Sequence, residues 1–466
     1  MPRTKTITAV AALLAVILAA PAIAQQAKEP AQTGPAKVTA ATKKPAPADP
    51  ATLEEMSRQA YEQEKWVSYY GANIKLLNQR PYEPEYMLNV IAACALLNRK
   101  NTAYHYFLKM QQQGLSYDLN QNPDTMNIRD TEVYEYLNNL MIEAGKPGGI
   151  VEPVFTIDAE HAGPVAITWD SSRDRFLVGT QSKGAIIAMS DDGESEVLIQ
   201  ADIGNGLWAI KGLHADAQNN RLWVSSAAVP EFSAYQAADK GRGALFEFDL
   251  KTLELLSRFE VPADGSPHVP GPIAVAGSGD VYMLDLGNSL VYRKAANADR
   301  LQVFISIPEM TTLLDIAVTP DNARLYVSDL YKGVLVVDPV QQSSVMLTVP
   351  ETMNMGRIQS LIYDEGHLVI TQNGFEPERV MRLKLDASGG EILSIKSIAS
   401  AMTDFANLGS ATVRGDHVYY FANVRSESDD RANEPMTLLR SPLVNENDAP
   451  PAEMQKALDQ FQPEKG

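Results

Sequence analysis

The sequence has a single cysteine and little positive charge. Cys94 stands alone among 466 residues, so no disulfide can form within the chain. It lies in the apolar stretch NVIAACALLN, and we expect a thiol packed in a core. Lys and Arg number 40 against 58 Asp and Glu, a formal net charge of −18. Since binding to phosphate backbones requires a basic surface, nucleic acid is not an expected partner.

Long hydrophobic runs are absent beyond the N terminus. Residues 1–24 combine a basic start (MPRTK), an apolar run of 14 residues (ITAVAALLAVILAA) and the small-residue motif Ala22-Ile23-Ala24. This pattern is typical of a signal peptide, and we predict cleavage after Ala24 and a periplasmic or secreted protein. The run is too short to span a bilayer comfortably, and no later segment is suitable, so we expect no membrane span.

Common catalytic motifs are missing as well. The six His are scattered without helical metal-ligand spacing, and G-x-S-x-G, C-x-x-C and a glycine-rich phosphate loop do not occur. The sequence therefore predicts no catalytic residue, no resident metal and no cofactor from motifs alone.

What is present is a change of periodicity along the chain. Residues 25–50 are rich in Pro and Ala and predict a linker. Residues 51–148 show helical periodicity, with a capping box at Thr52 to Glu55 and a last helix capped at Asp130 or Thr131. The helices resemble tetratricopeptide repeats, through Ala103-x-x-x-Phe107 and Pro81; the alternative is a helical cap without repeats.

A strand–turn–strand phrase then recurs through residues 149–443. Its six copies begin 43 to 60 residues apart, the length of a four-stranded unit. They start at Val165, Leu213, Ile273, Ile316, Leu361 and Ala411. We predict a multidomain chain, α then all-β: a small tetratricopeptide-like domain followed by a six-bladed β-propeller. The sixth unit lacks a fourth strand, and we expect IVEPVFTI (150–157) to supply it, leaving 444–466 as a polar tail.

The phrases DIAVTPDNARLYVSD, GPVAITWDSSRDRFLVGT and LIYDEGHLVITQNG resemble the senescence-marker-protein/gluconolactonase/luciferin-regenerating family. The resemblance implies a lactone hydrolase with one divalent cation, often calcium, held by a Glu, two Asn-type ligands and an Asp. Position by position, these ligands fall here on Ala162, Gly271, Leu314 and Gln359. None of the four is a carboxylate, so we expect the family's metal site not to form.

One face of the propeller nevertheless collects polar side chains. The start of each inner strand lies beside the end of its antiparallel partner, and the insertion 227–243 follows a strand on the same face. We predict a binding mouth there, although strand-end Asp and Asn residues often make only turn hydrogen bonds. The candidates are Lys211, Asp285, Asp315, Asp329, Gln359, Asn373, Glu231 and Tyr235.

Two function classes remain open. The first is an exported binding or scaffold propeller, with a protein or peptide partner on the helical domain and a small molecule possible in the channel. The alternative is a lactonase-like hydrolase using calcium or another divalent cation at a rearranged site of Asp315, Asp285 and Asp329.

Overall fold

The computed structural model describes residues 48–158, 164–425 and 434–444. The N-terminal described part is helical. Its α-helices are α1 (Pro50–Glu62), α2 (Trp66–Gln79), α3 (Pro84–Leu96), α4 (Lys100–Gln112) and α5 (Glu132–Ala144). Each packs on the next in chain order. No helix among the described residues has the length and apolar composition needed to cross a membrane. The tetratricopeptide-like character stays a prediction.

Helix ends and core positions follow local chemistry. The predicted capping box at Thr52 is wrong, because Asp49 is the N-cap and accepts a hydrogen bond from the Thr52 N–H at 3.0 Å. Pro50 then opens α1, where its missing N–H is not needed. The cap at Thr131 is confirmed, since its hydroxyl accepts from the Tyr134 N–H. Cys94 is buried as predicted, and burial raises the pKa of its thiol to about 11.

Strands connected by turns and loops follow from Gly148 onward. They are β1 (Gly148–Gly149), β2 (Glu152–Ile157), β3 (Pro164–Asp170), β4 (Arg175–Thr180), β5 (Ala185–Met189), β6 (Ser195–Gln200), β7 (Ala209–Asp216), β8 (Arg221–Ala227), β9 (Gly243–Asp249), β10 (Leu255–Glu260), β11 (Pro270–Val275), β12 (Val281–Asp285), β13 (Leu290–Lys294), β14 (Gln302–Ser306), β15 (Leu313–Val318), β16 (Leu325–Asp329), β17 (Gly333–Asp338), β18 (Ser343–Met346), β19 (Ile358–Asp364), β20 (His367–Gln372), β21 (Arg379–Leu385), β22 (Ile392–Ser400), β23 (Ala411–Arg414), β24 (His417–Phe421) and β25 (Met436–Pro442). Across the described ranges they make six antiparallel sheets, one per blade, which confirms the six-bladed propeller.

The ring is closed by a strand from the beginning of the propeller. β2 pairs with β25, so blade six consists of β23, β24, β25 and β2, as the sequence predicted. On this strand Phe155 is 6% exposed, and its ring meets the edge of Phe176 in blade one, with centroids 5.8 Å apart. β1 extends blade five by pairing with β22. The chain that leaves α5 is therefore fixed to two neighbouring blades.

The helices dock on blades four and five through loops between helices. Tyr82 packs against the apolar cluster between blades four and five, which includes Met353 and Met355. Glycines make room for it: a Cβ at Gly333 would lie 2.9 Å from the Tyr82 ring, and one at Gly356 would lie 2.8 Å from the Tyr82 Cβ. Conversely, Phe375 of the propeller packs within the apolar core of the helices. The two parts therefore share apolar cores.

A buried polar network holds the same junction. The Arg379 guanidinium, 4% exposed, donates to the Gln113 carbonyl at 2.9 Å and to the Gln372 side-chain oxygen at 2.8 Å. Asn354 donates to the Tyr82 carbonyl at 3.2 Å, and Glu83 pairs with Arg357 at 2.7 Å. Burial without a carboxylate among these hydrogen-bond partners lowers the pKa of Arg379 to about 10.

We predict that Phe155→Ala destabilises the protein by about 3–5 kcal/mol, because it leaves a cavity between the closing strand and blade one. The matched control is Thr156→Ala, whose side chain on the same strand is exposed. Urea unfolding measures both variants. Equal costs for the two substitutions would contradict the assigned role of Phe155 in closing the ring.

We predict that Arg379→Met loosens the helical part, because the Gln113 carbonyl and the Gln372 side chain lose their buried donor at a cost of about 1–3 kcal/mol. Amide hydrogen exchange should rise in residues 100–116 more than in blades one to three. Lys384→Met, on the exposed face of the same strand, is the control. Unchanged exchange in residues 100–116 would show that Arg379 does not hold the junction.

Candidate ligand site in the propeller channel

The channel is surrounded by the innermost strand of each blade. In the described residues, β3, β7, β11, β15, β19 and β23 each pair on one side only, which leaves the other edge facing inward. They enclose a cavity of about 480 Å³ with residues from every blade in its wall. The unpaired N–H and C=O groups of these edges need water or a ligand as partners.

A β-bulge interrupts most of these strands at equivalent positions. The register shifts lie between Pro164 and Ala166, Ile210 and Gly212, Pro270 and Ile273, Leu313 and Ile316, and Ile358 and Ser360. A bulge re-aims the side chain of its extra residue. The bulges place Lys211, Asp315 and Gln359 in the wall of the same cavity. Three of the predicted site residues are thus brought together, from blades two, four and five.

Lys211 lies in a polar part of this wall. Its ammonium donates to the Gln181 side-chain oxygen of blade one at 2.7 Å. Burial lowers the pKa of Lys211, and the nearby Glu231 carboxylate opposes that shift. Glu231 itself is exposed, at the beginning of the insertion. The ammonium group of Lys211 therefore supplies hydrogen-bond donors to the cavity wall.

Asp315 joins two blades through its carboxylate. Oδ1 accepts from the Ile316 N–H at 2.9 Å, and Oδ2 accepts from the Leu361 N–H of blade five at 2.7 Å. Burial raises the pKa of Asp315 to about 7, although these hydrogen bonds act in the opposite direction. Gln359 follows in the wall of the neighbouring blade. This part of the channel therefore contains a carboxyl that titrates near neutrality.

His214 also lines the cavity, and the sequence analysis missed it. Burial lowers the pKa of its imidazole, which favours the neutral form. It lies three residues beyond Lys211 on β7, in the stretch KGLHAD. Its place on a predicted inner strand is the signal that the sequence offers, although no second His lies at metal-ligand spacing from it.

Three other predicted residues end second strands and make structural hydrogen bonds. Asp285 is fully buried; it accepts from the Val269 and Gly287 N–H groups and lies 2.7 Å from His268 Nδ1. Asp329 accepts from the Tyr331 and Lys332 N–H groups of the turn that follows it and from the Thr312 N–H just before β15. Asn373 donates to the Leu408 carbonyl at 2.7 Å. These three do not contribute to the described cavity wall.

The insertion after β8 folds back over blade one. The Ser233 N–H donates to the Ser182 carbonyl at 2.9 Å, and Phe232 is buried beside Trp208. Tyr235 is partly buried and packs against that cluster. The insertion contacts blades one and two, while the helices dock on blades four and five. Among the described residues, neither element contributes to the cavity wall.

Three of the four positions at which the resemblance would place cation ligands lie among the described residues. Ala162 lies outside them, Gly271 has no side chain and Leu314 is apolar, so only Gln359 offers a side-chain oxygen at these positions. The Asp315 oxygens already accept backbone N–H groups. Within the described ranges, no group of three or more His, Cys, Asp or Glu could hold a metal ion. The expectation about cofactors stays a prediction.

The chain was compared with known protein families, curated proteins and solved structures, and only solved structures are similar to it. No protein-family model and no curated protein matches the chain. The luciferin-regenerating enzyme is 13% identical with a TM-score of 0.44, over 63% of this chain and 95% of that one. The PQQ-bound aldose sugar dehydrogenase from Streptomyces coelicolor is 13% identical with a TM-score of 0.43, over 64% and 99%. A nidogen/laminin complex is 12% identical with a TM-score of 0.38, over 50% and 79%.

The predicted resemblance is thus confirmed as a six-bladed propeller arrangement, which the strand pairing establishes. Identities of 12–13% and TM-scores below 0.5 carry no conclusion about activity.

We predict a pH-dependent stability difference between the protein and Asp315→Asn. The Asp315 pKa is raised from about 4 in the unfolded chain, so the folded protein holds this proton more tightly. As pH rises from about 4 to about 7, the wild type should therefore lose up to roughly 4 kcal/mol relative to the variant. Urea unfolding between pH 4.5 and 8 measures the difference.

The matched control is Asp321→Asn, at an exposed turn where hydrogen bonds lower the Asp321 pKa. The difference in unfolding free energy between Asp321→Asn and the wild type should not change with pH above pH 5. The Asp321 carboxyl is ionised there in both the folded and the unfolded chain. A flat difference for Asp315→Asn over the same range would show that the raised pKa is wrong.

Proposed function

We propose that this protein is a binding propeller that takes a small, uncharged polyhydroxylated ligand, such as a sugar or sugar lactone, in its central channel. The observation that carries the proposal is the convergence of Lys211, Asp315 and Gln359 on one cavity through bulges at equivalent strand positions. The predicted signal peptide would place this binding activity in the periplasm or outside the cell.

The chemistry of the wall supports a hydroxylated ligand. Lys211 offers donors, Gln359 offers a donor and an acceptor, and each Asp315 oxygen keeps a lone pair beyond its backbone bond. The free strand edges add backbone donors and acceptors around the channel. A cavity of about 480 Å³ lies within the usual range for small-molecule sites. The wall contains Lys211, Asp315 with a pKa of about 7, and Asp364, which pairs with Arg382 at 3.2 Å, so it carries little net charge and suits a neutral ligand.

Binding is supported over the rearranged hydrolase site. That alternative needs Asp285 and Asp329 beside Asp315, but both carboxylates are buried and hold turns. One observation still favours chemistry at Asp315 alone: a pKa of about 7 suits a general acid or base. Under that reading, lactone hydrolysis would be present in the wild type and lost in Asp315→Asn.

Isothermal titration against a panel of monosaccharides, aldonates and aldonolactones tests the proposal. We expect a neutral member to bind one-to-one, and Lys211→Met or Gln359→Leu to weaken it about tenfold or more, because a buried hydrogen bond to the ligand is lost. Lys251→Met is the control, at an exposed turn between β9 and β10.

Two results would refute the channel site. One is the absence of binding by every panel member at millimolar concentration. The other is binding that Lys211→Met and Gln359→Leu leave equal to the wild type. Thermal unfolding of both variants must accompany the titration, so that a loss of binding is not confused with a loss of fold.

A further inference from the structure

A second cavity, of about 550 Å³, lies outside the channel between blades two and three. One wall is the end of the insertion, residues 240–243, and the other is the loop 261–268 before β11. The walls touch through their backbones: the His268 N–H donates to the Gly241 carbonyl at 3.2 Å. A Cβ at Gly241, whose φ is +79°, would lie 2.6 Å from the Pro267 Cα. The shape of this cavity is therefore set by direct contact of two loops.

Basic side chains gather in this cavity, although the whole chain is acidic. The guanidinium carbons of Arg242 and Arg258 each lie 5.2 Å from the centre of the Trp208 ring, within cation–π range. Lys240 also lines the cavity and makes no ion pair with any residue that the structure describes. The buried Arg258 Nε has no hydrogen-bond partner among the described residues. Three cations are thus held within one cavity wall.

Each of the two arginines has one carboxylate partner, and the partner of Arg258 is a weak competitor for an incoming anion. Arg258 pairs with Glu260 at 3.0 Å and Arg242 with Asp239 at 2.9 Å. The Glu260 side chain is 64% exposed, and such surface pairs contribute about 0.2–1 kcal/mol. His268 is occupied by Asp285 on Nδ1 and by Asp264 on Nε2. An incoming anion would displace Glu260 from Arg258 at little cost.

We propose that this cavity is a second binding site, for a small molecule that carries a phosphate or carboxylate group. Arg258 and Arg242 present planar donor forks to the oxyanion, and Lys240 adds a point charge. The indole of Trp208 lies within cation–π range of both guanidinium groups. The site differs from the channel in both charge and location, so it does not depend on the channel ligand.

Isothermal titration of the purified protein with inorganic phosphate, glucose 6-phosphate and glucuronate tests this site. We expect one-to-one binding of at least one probe that weakens with added salt. Arg258→Gln should lower its affinity about tenfold or more, and Lys240→Gln about threefold or more, because charge-assisted hydrogen bonds are lost. Tighter binding of glucuronate than of glucose 6-phosphate would assign a carboxylate ligand, and the reverse order a phosphate ligand.

Controls separate this site from the channel and from misfolding. Lys251→Gln removes an exposed charge outside the cavity, and Lys211→Met removes the channel lysine; both should bind the anionic probe as the wild type does. Lys240 is exposed, so its variant tests the site even if Arg258→Gln unfolds. Absence of binding by all three probes, or equal weakening by Lys251→Gln and Lys240→Gln, would overturn the proposal.

Discussion

The antiparallel pairing of β2 with β25 is the interaction on which the rest of this structure depends. It joins the segment that follows the helices to the last strand of the propeller, so the ring of blades closes between blades six and one. Phe155 and Ile157 on β2 share one apolar core with Phe176 of blade one and Leu438 of blade six. Without this strand, blade six would have three strands, and the inner edges would not be held around a channel of fixed width.

Closure also determines where the helices lie. Because β1 pairs with β22 and β2 with β25, the chain leaving α5 runs directly onto blades five and six. The loops between the helices then reach blades four and five. There Tyr82 packs on the apolar core of the propeller, Phe375 packs in the core of the helices, and Arg379 donates to the buried Gln113 carbonyl. A buried guanidinium tolerates little displacement of its acceptors. The helical part is therefore anchored on the face of the propeller at which the inner strands begin.

On this face the same residue types have two different roles. Carboxylates at the ends of second strands, such as Asp285 and Asp329, accept the N–H groups of the turn that follows them and stabilise the loops. Residues at the bulges of inner strands, such as Lys211 and Asp315, are directed into the cavity wall. A bulge interrupts the ladder at one residue, and that residue becomes available to a ligand. The insertion then adds a separate basic cavity on the rim, because its end packs against the loop before β11.

The sequence by itself determined the number of blades, the strand that closes the ring and the burial of Cys94, and it narrowed the cap of the last helix to Asp130 or Thr131. These features follow from periodicity, turn residues and apolar runs, which act over short stretches of chain. Tertiary structure alone decided which polar residues face the channel. Asp315 and Asp329 lie 14 residues apart in sequence. A bulge nevertheless directs Asp315 toward the cavity, whereas Asp329 accepts a hydrogen bond from the turn that follows it. The docking of Arg379 on Gln113, the place of His214 and the basic cavity around Trp208 likewise depend on contacts between segments distant in sequence, which local patterns do not encode.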